Sequence, residues 1–146
     1  MKKKLIKIVA LCLALVTALS LSGCKGKSKK LTVIIGGGSP VEYSIDLKKI
    51  DRNGGLVAAL EYLKEKSKLD YEITGGVLTK VGHLKANSAE SKSICVYTSV
   101  EADMDKSADR LTVDYKGKTY VASEKSIYSM TLEEGAVIYI GYIRVL

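Results

Sequence analysis

The sequence predicts an α+β domain in which one amphipathic helix packs on a mainly antiparallel sheet. Three observations predict it. A single stretch, Leu56 to Leu63, places its apolar residues at helical spacing. Short runs rich in β-branched residues and tyrosine, several alternating apolar with polar, fill much of the remainder. Tight glycine-bearing connections join neighbouring runs, as hairpins require.

Taken in order, Leu31-Thr32-Val33-Ile34-Ile35 is a β-rich run stopped by Gly36-Gly37-Gly38-Ser39-Pro40. Val41 to Ile45 then alternates as a half-buried strand does. The glycine run is therefore a turn between strands. A phosphate cradle would need a helix N-terminus behind it, and a strand follows instead. Asp51-Arg52-Asn53-Gly54-Gly55 is polar and turn-rich, and the helix begins after it. Leu56, Val57, Leu60 and Leu63 share one face, with Lys64, Lys66 and Lys68 gathered near the end, where cations suit the helix dipole.

Tyr71–Thr74 and Val77–Val81 flank Gly75-Gly76, a two-residue hairpin loop. Ser93 to Thr98 is a further strand, and Leu111–Tyr115 and Thr119–Ala122 flank Lys116-Gly117-Lys118 as a second hairpin. Glu133-Glu134-Gly135 leads into Ala136–Leu146. There Val137, Tyr139, Ile143 and Val145 point one way, while Ile138, Ile140, Tyr142 and Leu146 point the other. Apolar residues on both faces predict an interior strand or one covered by a partner. The expected topology is β-grasp-like.

Residues 1–23 have the make-up of a secretory leader. Lys2, Lys3, Lys4 and Lys7 form a basic start, Ile8 to Leu21 is almost wholly apolar, and small residues follow. The apolar run is shorter than the ~20 residues a spanning helix needs. Leu21-Ser22-Gly23-Cys24 resembles the lipobox of bacterial lipoproteins. That resemblance implies a diacylglyceryl thioether on Cys24 and cleavage just before it. It also implies anchoring at the extracytoplasmic face of the cell membrane, through the stable hold that two acyl chains give. Residues 24–30 would then be the acylated cysteine and a lysine-rich tether beside anionic lipid.

Removing the leader changes what the charge means. The formal +7 includes four leader lysines and the four of the tether, Lys25, Lys27, Lys29 and Lys30. Residues 31–146 therefore carry a net −1, and a nucleic-acid partner is not expected. With Cys12 in the leader and Cys24 acylated, Cys95 is alone in the domain, so no internal disulfide is available. Its apolar surroundings, Ile94 and Val96, predict a buried, inert thiol.

The order of elements resembles the transcobalamin C-terminal-like domain of bacterial surface lipoproteins. Two strands precede a Gly-Leu-Val-Ala-Ala-Leu-Glu-Tyr-Leu helix at Gly55–Leu63, and a Tyr-x-x-x-Gly-Gly hairpin follows at Tyr71–Gly76. A tyrosine-bearing strand at Ile94–Thr98 and a Leu-Glu-Glu-Gly turn entering the last strand complete the match over residues 31–146. Such domains usually carry a Trp-bearing strand, which this chain lacks, and no binding residue is carried over. The resemblance implies a non-catalytic binding or assembly module. Its relatives imply one alternative, capture of cobalamin, another corrinoid or a different small cofactor for a transporter. An exposed strand edge would give a second, an adhesive or structural envelope role toward a protein.

Two groups of side chains are candidates for chemistry. His83, the single histidine, could ligate a corrinoid cobalt or a metal, against a structural role that a lone imidazole more often has. Asp103, Asp105 and Asp109, with Ser107 and Asp114, fall at positions 1, 3, 7, 5 and 12 of an EF-hand-like loop. Ala108 stands where the turn glycine belongs, which favours a solvated acidic loop. No nucleophile elbow accompanies the serines, so an enzyme is not expected. The nine tyrosines could either pack the core or form an amphipathic binding surface.

Overall fold

The computed structural model describes residues 29–144. It is mixed α+β: one helix, a mainly antiparallel six-stranded sheet and a separate three-stranded sheet. The leader, the lipobox residues Leu21, Ser22 and Gly23, Cys24, and the last two residues lie outside the described segment.

Strands β1 (Lys30–Ile35) and β2 (Val41–Asp46) form the first hairpin, closed through the glycine run. Helix α1 follows at Gly55–Glu65. Strands β3 (Tyr71–Thr74), β4 (Val77–Val81) and β5 (Leu84–Lys85) make the small antiparallel sheet. Strands β6 (Lys92–Thr98), β7 (Thr112–Tyr115), β8 (Lys118–Ala122) and β9 (Val137–Arg144) complete the large one. Its order is β2-β1-β9-β6-β8-β7. The last strand is interior, as its two-faced apolar pattern predicts. It runs parallel to β1, with Val33 opposite Ile138, and antiparallel to β6, with Tyr97 opposite Tyr139.

Alternation along these strands divides the apolar side chains between two cores. Leu31, Val33, Ile35, Ile138 and Ile140 point to the helix side and cluster with Leu56, Leu60 and Leu63 of α1. The three helix leucines are 0–1% exposed, and burial of each is worth about 1.5–3 kcal/mol. The small sheet closes the same core with Leu78, Val81 and Leu84. On the opposite side Ile34, Tyr97, Tyr120, Ala122 and Tyr139 form a second cluster.

The helix starts where a side chain could not. Gly55 has φ +61°, and a Cβ there would lie 2.5 Å from the Tyr128 carbonyl carbon. This close approach lets the Val57 N–H donate to the Ile127 carbonyl at 3.3 Å, tying α1 to the loop before the last strand.

Candidate binding site

The second cluster is where the sheet departs from a flat layer. β2 and β7 lie at opposite edges, five strand positions apart, which in a flat sheet is about 24 Å. Yet the Tyr115 hydroxyl of β7 donates to the Glu42 carboxylate of β2 at 2.8 Å. The Lys116 ammonium reaches the same oxygen at 2.6 Å. The β7–β8 hairpin therefore folds across the face away from α1, and its tip touches the far edge. Lys116 and Gly117, both at positive φ, form the two-residue turn of that tip.

Beneath it, Tyr139 of β9 is the centre of an aromatic group. Tyr97 meets it edge-on with ring centres 6.1 Å apart, Tyr120 stacks at 6.4 Å and 12°, and Tyr115 tilts over it at 5.6 Å. These are the spacings at which aromatic pairs attract. Two glycines frame the Tyr139 ring. A Cβ at Gly36 would overlap its hydroxyl, and one at Gly141 would lie 2.8 Å from Cε1. Burial, followed by the Cys95 thiol, raises the Tyr97 phenol well above its ordinary range, and burial raises Tyr120 too. At neutral pH both rings are uncharged. The Lys116 ammonium first, and then the Tyr115 hydroxyl, hold the Glu42 carboxyl below its usual value.

A groove of about 550 Å³ runs along one side of the hairpin. Gly37, Gly38 and Gly141, the apolar Leu111 and Val113, and the rings of Tyr97 and Tyr139 are among its lining. Its volume lies in the range of small-molecule clefts, and its lining is mixed apolar and hydroxyl, with backbone exposed at the glycines.

The residues singled out from the sequence sit elsewhere. His83 is on the surface, and its Nε2 is 2.6 Å from the Gly36 carbonyl, to which it donates. That bond fixes the ring against the glycine loop, and among the described residues His83 belongs to no group of three His, Cys, Asp or Glu side chains. A Cβ at Gly37 would lie 2.9 Å from the same nitrogen, so His83 braces the glycine loop from outside the groove. Tyr43, Lys64, Lys68, Asp70 and Lys80 share a separate polar depression with it. There Asp70 pairs with Lys80 at 3.4 Å and Lys64 at 3.9 Å.

The aspartate loop does not assemble. Asp103 is 1% exposed, turned inward, and accepts from the Thr131 N–H at 2.6 Å and the Thr131 hydroxyl at 2.9 Å. Asp105 accepts from the Ser107 N–H at 2.9 Å, Asp109 stays exposed, and Asp114 lies on β7 accepting from Thr119. Among the described residues no three His, Cys, Asp or Glu side chains are grouped to hold a metal ion. Cys95 is half-buried beside the tyrosines rather than deep in the main core, and burial pushes its thiol up.

Sequence reasoning missed Glu42 and the glycine slot around Tyr139. Glu42 reads as the solvent residue of an alternating strand, and its partner is 73 residues away. The available signal was the alternate spacing of aromatic and apolar residues on β6 to β9, which puts Tyr97, Tyr115, Tyr120 and Tyr139 on one face. Among known proteins, neither a family model nor a curated sequence matches the chain.

Proposed function

We propose that this chain is a lipid-anchored, extracytoplasmic binding module without catalytic activity, and that the tyrosine groove holds its ligand. The observation that carries the reading is the groove itself: uncharged phenols, apolar walls and open backbone suit a small amphipathic molecule with ring faces and hydroxyl or amide groups. Side chains able to do chemistry are committed elsewhere. His83 is bonded to a backbone carbonyl, Asp103 to Thr131, and the Cys95 thiol is driven away from its nucleophilic form.

Anchoring rests on the leader and on Leu21-Ser22-Gly23-Cys24. A β-grasp-like topology is supported by the parallel pair β1 and β9 at the centre, with β2 and β6 outside them and one helix across a face. That arrangement also supports kinship with transcobalamin C-terminal-like domains, in which a corrinoid is the ligand to try first.

Calorimetric titration of the mature chain with cobalamin, cobinamide and a set of neutral oligosaccharides tests the assignment. Saturable binding by wild type, lost in Leu111→Asp, places the ligand in the groove. Leu111 is 42% exposed, so the new carboxylate enters the groove wall without entering either core. Absence of heat with every probe overturns the small-ligand reading. A protein partner then remains, for which the exposed edge strand β2, with Val41 40% exposed, is the available docking edge.

A further inference from the structure

The β7–β8 hairpin is joined to the sheet at its base only. β6 and β9 pair over seven residues, whereas β6 and β8 pair over two, Tyr97 with Ala122 and Thr98 with Val121. Beyond that base the ladder partners of Thr112–Tyr115 are the residues of β8. The base is tied to β6 through the Ser123 N–H, which donates to Val96 at 2.9 Å, and the hairpin closes on itself there as the Ala122 N–H donates to Leu111 at 2.9 Å. The tip is held by one carboxylate, Glu42, which is shared between Tyr115 and Lys116. Everything between base and tip rests on the tyrosine cluster, which is separate from the core that includes α1.

We infer that the hairpin is a hinged flap over the tyrosine face, latched at its tip by Glu42, and that lifting it admits the ligand. This inference rests on the groove being the binding site. Closed, the flap keeps Tyr97, Tyr120 and Tyr139 at 4–8% exposure. Lifted about its base, it uncovers Tyr120 and Tyr139 and turns a groove into an aromatic floor on which a larger ring can stack. Because the two clusters are distinct, the helix, the small sheet and the β2–β1–β9–β6 part of the large sheet stay in place. The latch is an exposed pair: the side chains of Lys116 and Glu42 are 70% and 40% exposed. Pairs so placed are weak, which suits a contact that opens and re-forms.

Hydroxyl-radical footprinting with mass spectrometry, on the intact mature chain without ligand, tests the flap apart from any ligand. Wild type is compared with Glu42→Gln and with Glu42→Lys, which sets like charge against Lys116. Oxidation of Tyr120 and Tyr139 should rise in the order wild type, Gln, Lys, several-fold overall. Met130, 2% exposed in the helix-side core, should keep its wild-type rate. Equal tyrosine oxidation in all three proteins overturns the latch. A rise at Met130 in step with the tyrosines overturns the hinge, because the whole domain would then be loosening. Flap opening without binding of any probe would leave the hinge and latch standing and overturn the role in admitting a ligand.

Discussion

Asp103 is the one charged residue fully withdrawn from water among the described residues. Its two oxygens take the backbone N–H and the hydroxyl of Thr131, and its own carbonyl accepts from the Glu124 N–H at 2.9 Å. The segment around Asp103 is thus tied at two points to the stretch between β8 and β9. Replacing Asp103 by Ala removes both bonds, but Thr131 is exposed and its N–H and hydroxyl can turn to water. The loss is therefore the net worth of the bonds, about 0.5–1.5 kcal/mol each. Urea unfolding at neutral pH should show Asp103→Ala destabilised by roughly 1–3 kcal/mol. Addition of millimolar calcium should leave the midpoint of both proteins unchanged, since the carboxylate serves Thr131. A calcium-dependent midpoint would restore the cation loop that the spacing of Asp103, Asp105 and Asp109 predicts.

The strands and the hairpin that fold into the tyrosine face make it sensitive to alkali. The sign follows from where each phenol loses its proton. In an unfolded chain a tyrosine ionises near pH 10. In the folded domain burial and then the Glu61 carboxylate push Tyr71 up to about 12, while burial raises Tyr97 and Tyr120, and the Glu42 bond raises Tyr115. Their stabilisation is therefore complete below about pH 10 and is lost as the pH climbs through the raised values. Tyrosinate absorbance should rise late and steeply, together with the loss of far-ultraviolet circular dichroism. Gradual ionisation of all nine tyrosines near pH 10 with the fold intact would contradict this packing. The elements themselves were readable because their signals are local. Helix α1 shows in the spacing of Leu56, Leu60 and Leu63, and the hairpin turns show in Gly75-Gly76 and Lys116-Gly117. The separation of β3, β4 and β5 into their own sheet was not readable, since β5 is only two residues long. Nor was the curl that brings Tyr115 to Glu42, because no periodicity within a strand encodes which distant edge it will meet.

The domain's attachment and its architecture are separate matters. No helix among the described residues is long and apolar enough to cross a membrane; the proposed attachment rests on reading Leu21-Ser22-Gly23-Cys24 as a lipobox. Cys24→Ala should release the chain from washed membranes or leave an uncleaved precursor, read by fractionation and intact mass. Retention with an unchanged mature mass would contradict the lipid anchor. The architecture was legible as far as one helix over a largely antiparallel sheet with the last strand inside it. That β9 lies parallel to β1 was not, because a parallel neighbour shares no turn with its partner and leaves no mark in the sequence between them.

That same pairing governs when the domain can exist. The first strand and the last are neighbours in the large sheet, and among the described residues β9 is the strand that pairs with both β1 and β6, joining the β1–β2 hairpin to the β6–β8–β7 half. Until residues 137–140 reach β1, the earlier segments have no shared strand on which to assemble, and contacts so far apart in sequence form slowly. For the exported chain proposed above, this ordering acts as a timer. On that proposal the polypeptide would complete its large sheet only when β9 has arrived on the outer side.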